Sequence, residues 1–319
     1  MKTARTQRFL VGRAQEYLDY RRALGYRLEG IDRLLLQFAN WADDLGHRGP
    51  ITTALALQWA TLPTQTPKCY HARRLTVVRC FARYCALFDA ATEIPSPRLL
   101  GPAYLRRTPF VYTVEQQQAL MKAARQLIPV DGLRPHTYIA LFGLLWCTGL
   151  RISEALDLCR EDVDWQRGIL TIKQTKFRKS RLVPLHPSAL QALRRYAKRR
   201  DQHRPLAQTN LFFMSETGGP LTYIAVRQTF KKLRRLLPVP PGQRRPRLHD
   251  FRHTFACQRL LAWYREGIDV NHAITSLATY LGHVQVTDTY WYLTATPELL
   301  ALVADRFQQG STAGKRGSP

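Results

Sequence analysis

Paired cysteines are missing from this sequence. The six cysteines stand at irregular spacings without a CxxC pair: Cys69, Cys80, Cys85, Cys147, Cys159 and Cys257. Zinc ribbons and disulfide frameworks depend on regular, paired spacing, so this pattern argues against both. Most of these cysteines stand among apolar residues, and we expect them to be reduced, buried thiols.

Long apolar segments are missing as well. The longest run, "YIALFGLLWCTGL" at 138–150, is shorter than the roughly 20 residues that a membrane-spanning helix needs, and it is typical of a buried helix. Residues 1–20 contain no apolar stretch followed by a small-residue cleavage site, so we expect no signal peptide. These absences predict a cytoplasmic protein with no membrane partner.

Acidic residues are scarce. The chain has 23 Asp and Glu against 48 Lys and Arg, a formal net charge of +25. Residues 1–110 carry 17 basic and 8 acidic side chains, and the remainder carries 31 and 15, so both halves are basic. This excess predicts a polyanionic partner held between two domains, as in a clamp around nucleic acid. The alternative is a basic surface that is merely solvated.

The organisation of the chain indicates two domains, because 319 residues are too many for one small core. Apolar residues recur at helical spacing over 31–45 and again over about 68–88. A stretch rich in Pro and Gly follows at 93–113. We therefore predict a helical domain over 1–95, a linker over 96–110, a second domain over 111–309 and a disordered tail over 310–319.

The second domain mixes element types. Thr113 is typical of a helix N-cap, and helix formers follow it through Leu127. "GILTIKQTKFRKSRLVPL" at 168–185 contains two alternating stretches around a basic turn, which predicts a β-hairpin. Further helices are predicted at 187–200, at 222–237, from near His249, and at 297–309. The fold class is therefore mainly α with a small β-sheet or hairpin (α+β).

Five segments combine reactive side chains with apolar frames: "TGLRISEAL" (148–156), "QTKFRKSRLVPL" (174–185), "HDFRHTFA" (249–256), "LGH" (281–283) and "TYWYL" (289–293). They supply arginines, a lysine, histidines and tyrosines, without a carboxylate pair for magnesium. This set suits attack on a phosphodiester without metal or cofactor. Arg151 and Arg252 would bind the non-bridging oxygens, Lys176 would protonate the leaving oxygen, and a tyrosine would attack.

Each of these residues taken singly has a simpler explanation. A lone Arg, Lys or His in such places is usually solvated or bonded to backbone, and Lys173 and Lys179 compete with Lys176. Composition does not separate Tyr290 from Tyr292. His249 and His253, four apart, also resemble a zinc-binding HExxH pair, but Asp replaces Glu and no clear third ligand follows. The joint order of five segments is the stronger observation.

In order and separation these segments resemble the boxes of the tyrosine recombinase (phage integrase) family, in its compact two-domain form. The resemblance assigns Arg151 to the first arginine box and Lys176 to the hairpin lysine. "HDFRH" supplies His249 and Arg252, and "LGH" supplies His283 as a phosphate ligand. The family nucleophile lies nine residues after that histidine, which is Tyr292. Glu154 resembles the acidic residue that supports the first arginine.

The resemblance implies a helical core-binding domain and a catalytic domain that form a C-shaped clamp on double-stranded DNA. It also implies a homo-tetramer on two specific sites, in some members with accessory recombinases. These enzymes exchange strands through a 3′-phosphotyrosyl intermediate and a Holliday junction, without metal or ATP. The helix at 297–309 would dock on a neighbouring protomer, with packing on its own domain as the alternative. The chain's early start on the first domain leaves no room for an arm-binding domain.

DNA contacts are predicted from basic side chains in the first domain and the linker: Arg73, Arg74, Arg79, Arg83, Arg106 and Arg107. Their density favours phosphate contacts for the set. Two other functions remain open, namely a catalytically silent architectural or regulatory DNA-binding protein of the same fold, and a relaxing topoisomerase. Integration, excision, resolution and transposition are equally open.

Overall fold

A computed structural model of the chain describes residues 9–26, 28, 30–104, 109–173, 180–203, 209–294 and 298–301. The chain divides into two compact units, Met1–Arg107 and Thr108–Pro319. The division falls within the predicted linker, and the outer limits of the predicted domains stay predictions. Phe110, placed in that linker from the sequence, belongs to the core of the second unit, because its ring packs on Tyr112 with centroids 5.2 Å apart.

The described part of the first unit is helical, as predicted. Its helices are α1 (Phe9–Ala23), α2 (Ile31–Asp44), α3 (Thr53–Thr61) and α4 (Lys68–Cys85). The α2 helix buries Leu34, Leu35 and Phe38 at helical spacing, and Phe38 meets Trp59 of α3 edge-on at 5.4 Å. Leu45, expected on the same face, lies past the end of α2 and is exposed.

A buried carboxylate joins two of these helices. Asp43 near the end of α2 accepts the backbone N–H groups of Leu10 and Val11, each at 3.0 Å. The first amides of a helix lack intrahelical partners and carry partial positive charge, so a carboxylate is favourable there. Asp43 thereby fixes the start of α1 against α2.

The second unit contains eight further helices among its described residues: α5 (Val114–Arg125), α6 (Leu133–Thr148), α7 (Ile152–Leu156), α8 (Pro187–His203), α9 (Tyr223–Leu233), α10 (Asp250–Arg265), α11 (Val270–Leu281) and α12 (Thr287–Tyr290). Thr113 caps α5 as predicted, because its Oγ1 accepts the N–H of Gln116 at 3.2 Å. The apolar run predicted as a buried helix forms α6. The α11 helix had no counterpart in the sequence predictions.

The predicted hairpin is part of a three-stranded antiparallel sheet with strand order β1–β2–β3. Its strands are β1 (Val163–Asp164), β2 (Ile169–Ile172) and β3 (Arg181–Pro184). Leu170 pairs with Val183, and both point into the core. Ile172 pairs with Arg181, which places Arg181 at the start of β3, and residues 174–179 between the two strands lie outside the described residues.

The end of the chain is described only in part. Residues 298–301 are helical. The rest of the predicted helix at 297–309 and the predicted tail lie outside the described residues. Leu299 is buried with Leu260, Leu277 and Tyr292 of the same unit. The start of this segment therefore packs on its own domain.

Candidate active site

Arg151 is positioned by a glycine turn at the end of α6. Gly149 has φ 61°, and a Cβ there would lie 2.6 Å from the ring of Phe255, so this position requires glycine. The turn delivers Arg151 to the start of α7, where its backbone N–H donates to Glu154 Oε2 at 2.9 Å. Its Nη1 donates to Glu154 Oε1 at 2.7 Å. Glu154 thus fixes both the backbone and the side chain of Arg151.

Arg252 is held by two backbone carbonyls. It is 1% exposed, and it donates to Gly149 O at 3.0 Å and to Leu281 O at 2.7 Å. Burial lowers the pKa of Arg252 to about 10, so the side chain remains charged at neutral pH.

The two arginines converge on one turn. Arg151 Nη2 donates to Gly282 O at 3.1 Å, the carbonyl next to the one that binds Arg252. Gly282, with φ 70°, ends α11 in a left-handed conformation. Two guanidinium groups are therefore brought side by side, which is an arrangement suited to the non-bridging oxygens of a phosphate.

His283 follows this turn directly. Its Nδ1 and Oγ1 of the buried Thr289 lie 2.7 Å apart in a hydrogen bond. That bond fixes the ring and leaves Nε2 for a ligand. Burial, together with the charges of Arg252 and Arg151, lowers the pKa of His283 to about 4, so the ring is neutral at pH 7.

His249 is the N-cap residue of α10. The residue is exposed, yet desolvation of its imidazole and the charge of Arg252 lower its pKa to about 4. The next residue, Asp250, is fully buried and accepts both Nη groups of Arg244 at 2.8 and 3.0 Å, and the backbone N–H of Arg247 at 2.6 Å. Asp250 therefore anchors the arginine-rich loop that leads to His249.

The two tyrosines of the last segment differ sharply in environment. Tyr290 is 42% exposed, whereas Tyr292 is 2% exposed in the 3₁₀ turn Trp291–Thr294. The ring of Tyr292 stacks with His283 at 6.2 Å and contacts His253 at 5.5 Å. Burial raises the pKa of Tyr292, and the neighbouring charge of Arg252 partly offsets this effect. Tyr292, and not Tyr290, thus lies among the predicted site residues.

Lys176 lies outside the described residues, as does its competitor Lys179. Lys173, the other competitor, is described, and its Nζ lies 2.7 Å from Asp162 Oδ1 and 3.0 Å from Glu161 Oε1. These two carboxylates raise the pKa of Lys173 above its ordinary value. A lysine so paired is a poor general acid, which argues against Lys173 and leaves Lys176 and Lys179 as candidates for that role.

The zinc alternative gains no support from the described residues, where no cluster of three or more His, Cys, Asp or Glu side chains could hold a metal ion. His249 and His253 meet edge to face at 4.6 Å on α10. The Nδ1 atom of His253 is buried and has no hydrogen-bond partner in the described part of the chain.

No helix in the described part of the chain is long and apolar enough to cross a membrane.

The predicted DNA contacts on α4 are not equivalent. Arg73 and Arg83 are exposed, and Arg79 is half-buried. Arg74 is buried instead, with its guanidinium carbon 3.6 Å from the ring centre of Trp59 and its Nη2 donating to Trp59 O at 2.7 Å. The prediction of a phosphate contact is therefore wrong for Arg74, which stabilises the core of the first unit. Arg106 and Arg107 lie outside the described residues.

Two site residues escaped the sequence predictions. Arg181 was not among the predicted site residues, yet it donates to both carboxylate oxygens of Glu154, at 3.0 and 2.7 Å. Thr289 was an unremarked residue between His283 and Tyr292. The sequence did contain a signal for Arg181, because an arginine at the start of an apolar predicted strand needs a negatively charged partner when it is buried. It contained no signal for Thr289, because only the fold decides which residue its hydroxyl contacts.

Comparisons with known proteins agree with this geometry. The sequence model of the phage integrase family matches residues 111–298. A putative integrase/recombinase (y4rB) of Sinorhizobium fredii is 43% identical over 92% of this chain and 96% of its own. The tyrosine recombinase XerC of Chlamydia trachomatis is 31% identical over 73% of this chain and 69% of its own.

A solved structure resembles the fold along most of the chain. The Tn1549 transposon integrase, in complex with transposon right end DNA, superimposes with a TM-score of 0.68 at 16% identity, covering 93% of this chain and 99% of that one. The matched sequence model spans every described site residue from Arg151 to Tyr292. The chain therefore belongs to the phage integrase family of tyrosine-type site-specific DNA recombinases.

Proposed function

We propose that this recombinase exchanges DNA strands through a covalent 3′-phosphotyrosyl intermediate in which Tyr292 is the nucleophile. One observation carries the proposal: Arg151 and Arg252 are bonded to the consecutive carbonyls of Gly282 and Leu281, directly before His283. Three donors to a single phosphate are thus gathered at one turn, and Tyr292 packs against the third. Such a cluster stabilises the extra charge of a pentacoordinate transition state.

The chemical step balances without a metal or ATP. The Oη–phosphorus bond of Tyr292 forms as the bond from phosphorus to the 5′-oxygen breaks. The phenolic proton passes to a neutral imidazole, for which His249 is the candidate, and the leaving oxygen takes a proton from Lys176. Because one ester replaces another, the 5′-hydroxyl of a second strand reverses the step and joins the new partner.

The neutral state of His249 supports its part in this scheme. A pKa of about 4 leaves the free protein's imidazole able to accept a proton at pH 7. An anionic phosphate bound beside it would raise that pKa and strengthen the base. The burial of Tyr292 adds a condition, because a phosphodiester reaches the hydroxyl only after Tyr292 or the residues that cover it move.

Strand stoichiometry supports a tetramer. Each chain carries one Tyr292, and exchange between two duplexes requires cleavage of four strands, so four protomers are needed. With one strand of each duplex exchanged at a time, the reaction passes through a Holliday junction. Both basic units would contact the DNA, and the segment at 297–309, apart from Leu299, would dock on a neighbouring protomer.

The test uses a suicide duplex that carries the end of the genetic element encoding the protein, nicked near the cleavage position so that the released oligonucleotide diffuses away. Wild-type protein should form a covalent adduct, and Tyr292→Phe should bind the duplex equally well and form none. Tyr290→Phe is the matched control and should retain the adduct. An adduct lost in Tyr290→Phe and kept in Tyr292→Phe would overturn the assignment of the nucleophile.

The same preparation separates the remaining functions. A silent architectural protein binds the duplex without forming an adduct. A relaxing topoisomerase removes supercoils from plasmids that lack the element's ends, whereas the proposed recombinase requires paired ends. Product plasmids resolved on a gel distinguish these outcomes.

A further inference from the structure

All three guanidinium nitrogens of Arg181 donate hydrogen bonds to described residues. Nη1 and Nη2 donate to Oε1 and Oε2 of Glu154 at 3.0 and 2.7 Å, and Nε donates to Tyr280 O at 2.8 Å. The side chain is 10% exposed. The fork therefore joins the start of β3, the α7 turn and the end of α11.

Glu154 is shared between two arginines. Its buried carboxylate receives four N–H groups, two from Arg151 and two from Arg181. Burial by itself would raise the pKa of Glu154, but the hydrogen bonds and charge of Arg181 and the hydrogen bonds of Arg151 lower it to about 2. Removal of Arg181 would leave a buried carboxylate with half of its donors, which favours rotation or water entry.

Both acceptors of the Arg151 side chain belong to residues that lie against Arg181. One is Glu154 Oε1, which receives Nη1 of each arginine. The other is Gly282 O, and a Cβ on Gly282 would lie only 2.9 Å from Arg181 Nη1. The orientation of Arg151 thus depends on groups that Arg181 holds in place.

We propose that Arg181 is a positioning residue for strand cleavage, which acts by holding Glu154 and the Gly282 turn where they orient Arg151. The inference rests on the proposed function. Its alternative is that Arg181 acts on the hairpin lysine, since β3 follows the segment that carries Lys176. Removal of the residue that orients a metal ligand typically costs about 10–100-fold in affinity or activity, and we expect a loss of similar size when the residue that orients Arg151 is removed.

The experiment measures the single-turnover rate of adduct formation at saturating suicide duplex, using the full-length protein. Arg181→Met keeps the aliphatic stem without the charge, and Arg181→Lys keeps the charge without the fork. Both should cleave at least about tenfold more slowly than wild type with DNA affinity within about threefold. Arg167→Met is the matched control, because Arg167 is an exposed arginine of the same sheet's β1–β2 turn, and it should cleave at the wild-type rate.

A double-mutant cycle tests the route through Arg151. In an Arg151→Lys background, Arg181→Met should slow cleavage by less than about threefold further, because two residues that act as a unit are not additive. A full additional loss in that background overturns the proposal, and so does a wild-type rate in either soluble Arg181 variant. Arg181→Lys, which retains a cation beside Glu154, serves if Arg181→Met does not fold.

A modified leaving group shows whether Arg181 acts through Arg151 or through the hairpin lysine. A duplex with sulfur in place of the bridging 5′-oxygen expels a thiolate, which needs no general acid. Arg181→Met should stay slow on this duplex, and recovery to the wild-type rate would assign Arg181 to the lysine route instead. Wild-type protein and Tyr292→Phe, run in parallel, report on the proposed function separately, since only the first should form an adduct.

Discussion

At the scale of single residues, the site depends on hydrogen bonds that orient charged and aromatic groups. Arg151, Arg252 and His283 each have a described partner that fixes direction: Glu154, the carbonyl of Leu281 and the hydroxyl of Thr289. At pH 7 the lowered pKa values keep His249, His253 and His283 neutral and keep Glu154 ionised. Substitutions that keep shape but remove one bond are therefore informative.

Thr289→Val is one such substitution. Loss of its bond to His283 Nδ1 frees the ring to rotate, so we expect cleavage about tenfold slower and a folded state less stable by about 1 kcal/mol. Adduct formation and urea unfolding measure the two effects. Thr287→Val, at an exposed position of the same short helix, should change neither quantity. Equal cleavage rates for the two variants would contradict the role given to Thr289.

The buried histidines predict how stability depends on pH. Burial lowers the pKa of His253 from 6.5 to about 3, and His283 follows with about 4. A histidine with a depressed folded pKa binds fewer protons folded than unfolded, so stability is full above pH 6.5 and falls as pH drops below it. The slope should be at most about 1.4 kcal/mol per pH unit for each histidine. Glu154 contributes only below pH 4.5, as pH falls toward its pKa of about 2.

Urea unfolding between pH 7 and 5 checks this dependence. His253→Phe removes a buried nitrogen that has no described partner, so it should flatten the slope without lowering stability at pH 7. His272→Phe, whose side chain is 92% exposed, is the matched control and should leave the slope unchanged. An unaltered slope in His253→Phe would show that another group causes the acid sensitivity.

At the scale of elements, two helix ends build the site. Both α6 and α11 stop at a glycine with positive φ, and each turn supplies a carbonyl to Arg252 or Arg151 before delivering a reactive residue. The short β-sheet contributes Arg181 from the start of β3. The glycine turns that end these two helices therefore also position the side chains of the candidate site.

Two glycine substitutions, one at the end of α6 and one inside it, test this dependence. Gly149→Ala places a Cβ 2.6 Å from Phe255 and strains a backbone with φ 61°, so we expect a loss of more than about 1 kcal/mol in unfolding free energy and slow cleavage. Gly143→Ala, inside the same helix, meets no atom within 4 Å and should stabilise the protein by about 0.5–1 kcal/mol. Calorimetric melting compares the two, and similar shifts for both would refute the argument.

At the scale of the whole molecule, charge determines the partner. Both units are basic, and the net charge of +25 favours release of counterions from a nucleic acid. The fold adds a distinction that charge alone does not contain, because the arginines of α4 divide into exposed and buried ones. Only the exposed ones are available for phosphate.

Salt dependence tests that division. For binding to a random duplex, Arg73→Gln and Arg83→Gln should each reduce the slope of log affinity against log salt by about 1. Arg74→Gln should leave the slope unchanged and destabilise the protein by about 1–2 kcal/mol, because it loses the stack on Trp59 and a buried hydrogen bond. A reduced slope for Arg74→Gln would return it to the set of DNA contacts.

Helices with a clear apolar period were predictable from the sequence, and α2, α4, α5 and α10 begin where predicted or within a residue or two. The α11 helix was missed although Val270, Ile274 and Leu277 recur at helical spacing between a capping Asp269 and Gly282, so its signal was present in the sequence. The sheet gained β1 because a strand of two residues carries no periodic signal. Residue types and spacing identified Arg151, Arg252, His283 and Tyr292 as site candidates. Their partners Arg181 and Thr289 stayed hidden, because a hydrogen bond between distant residues has no signature in either local sequence.

The sequence by itself determined the family, the basic character of both units and the identity of the candidate reactive groups, since these follow from composition and from ordered motifs. Only the tertiary structure decided which of two nearby tyrosines faces the histidines, which arginine of α4 is buried, and which groups orient Arg151. The physical reason is that exposure, pKa and hydrogen-bond partners depend on what the fold brings within a few ångströms, and these neighbours come from segments far apart in the chain.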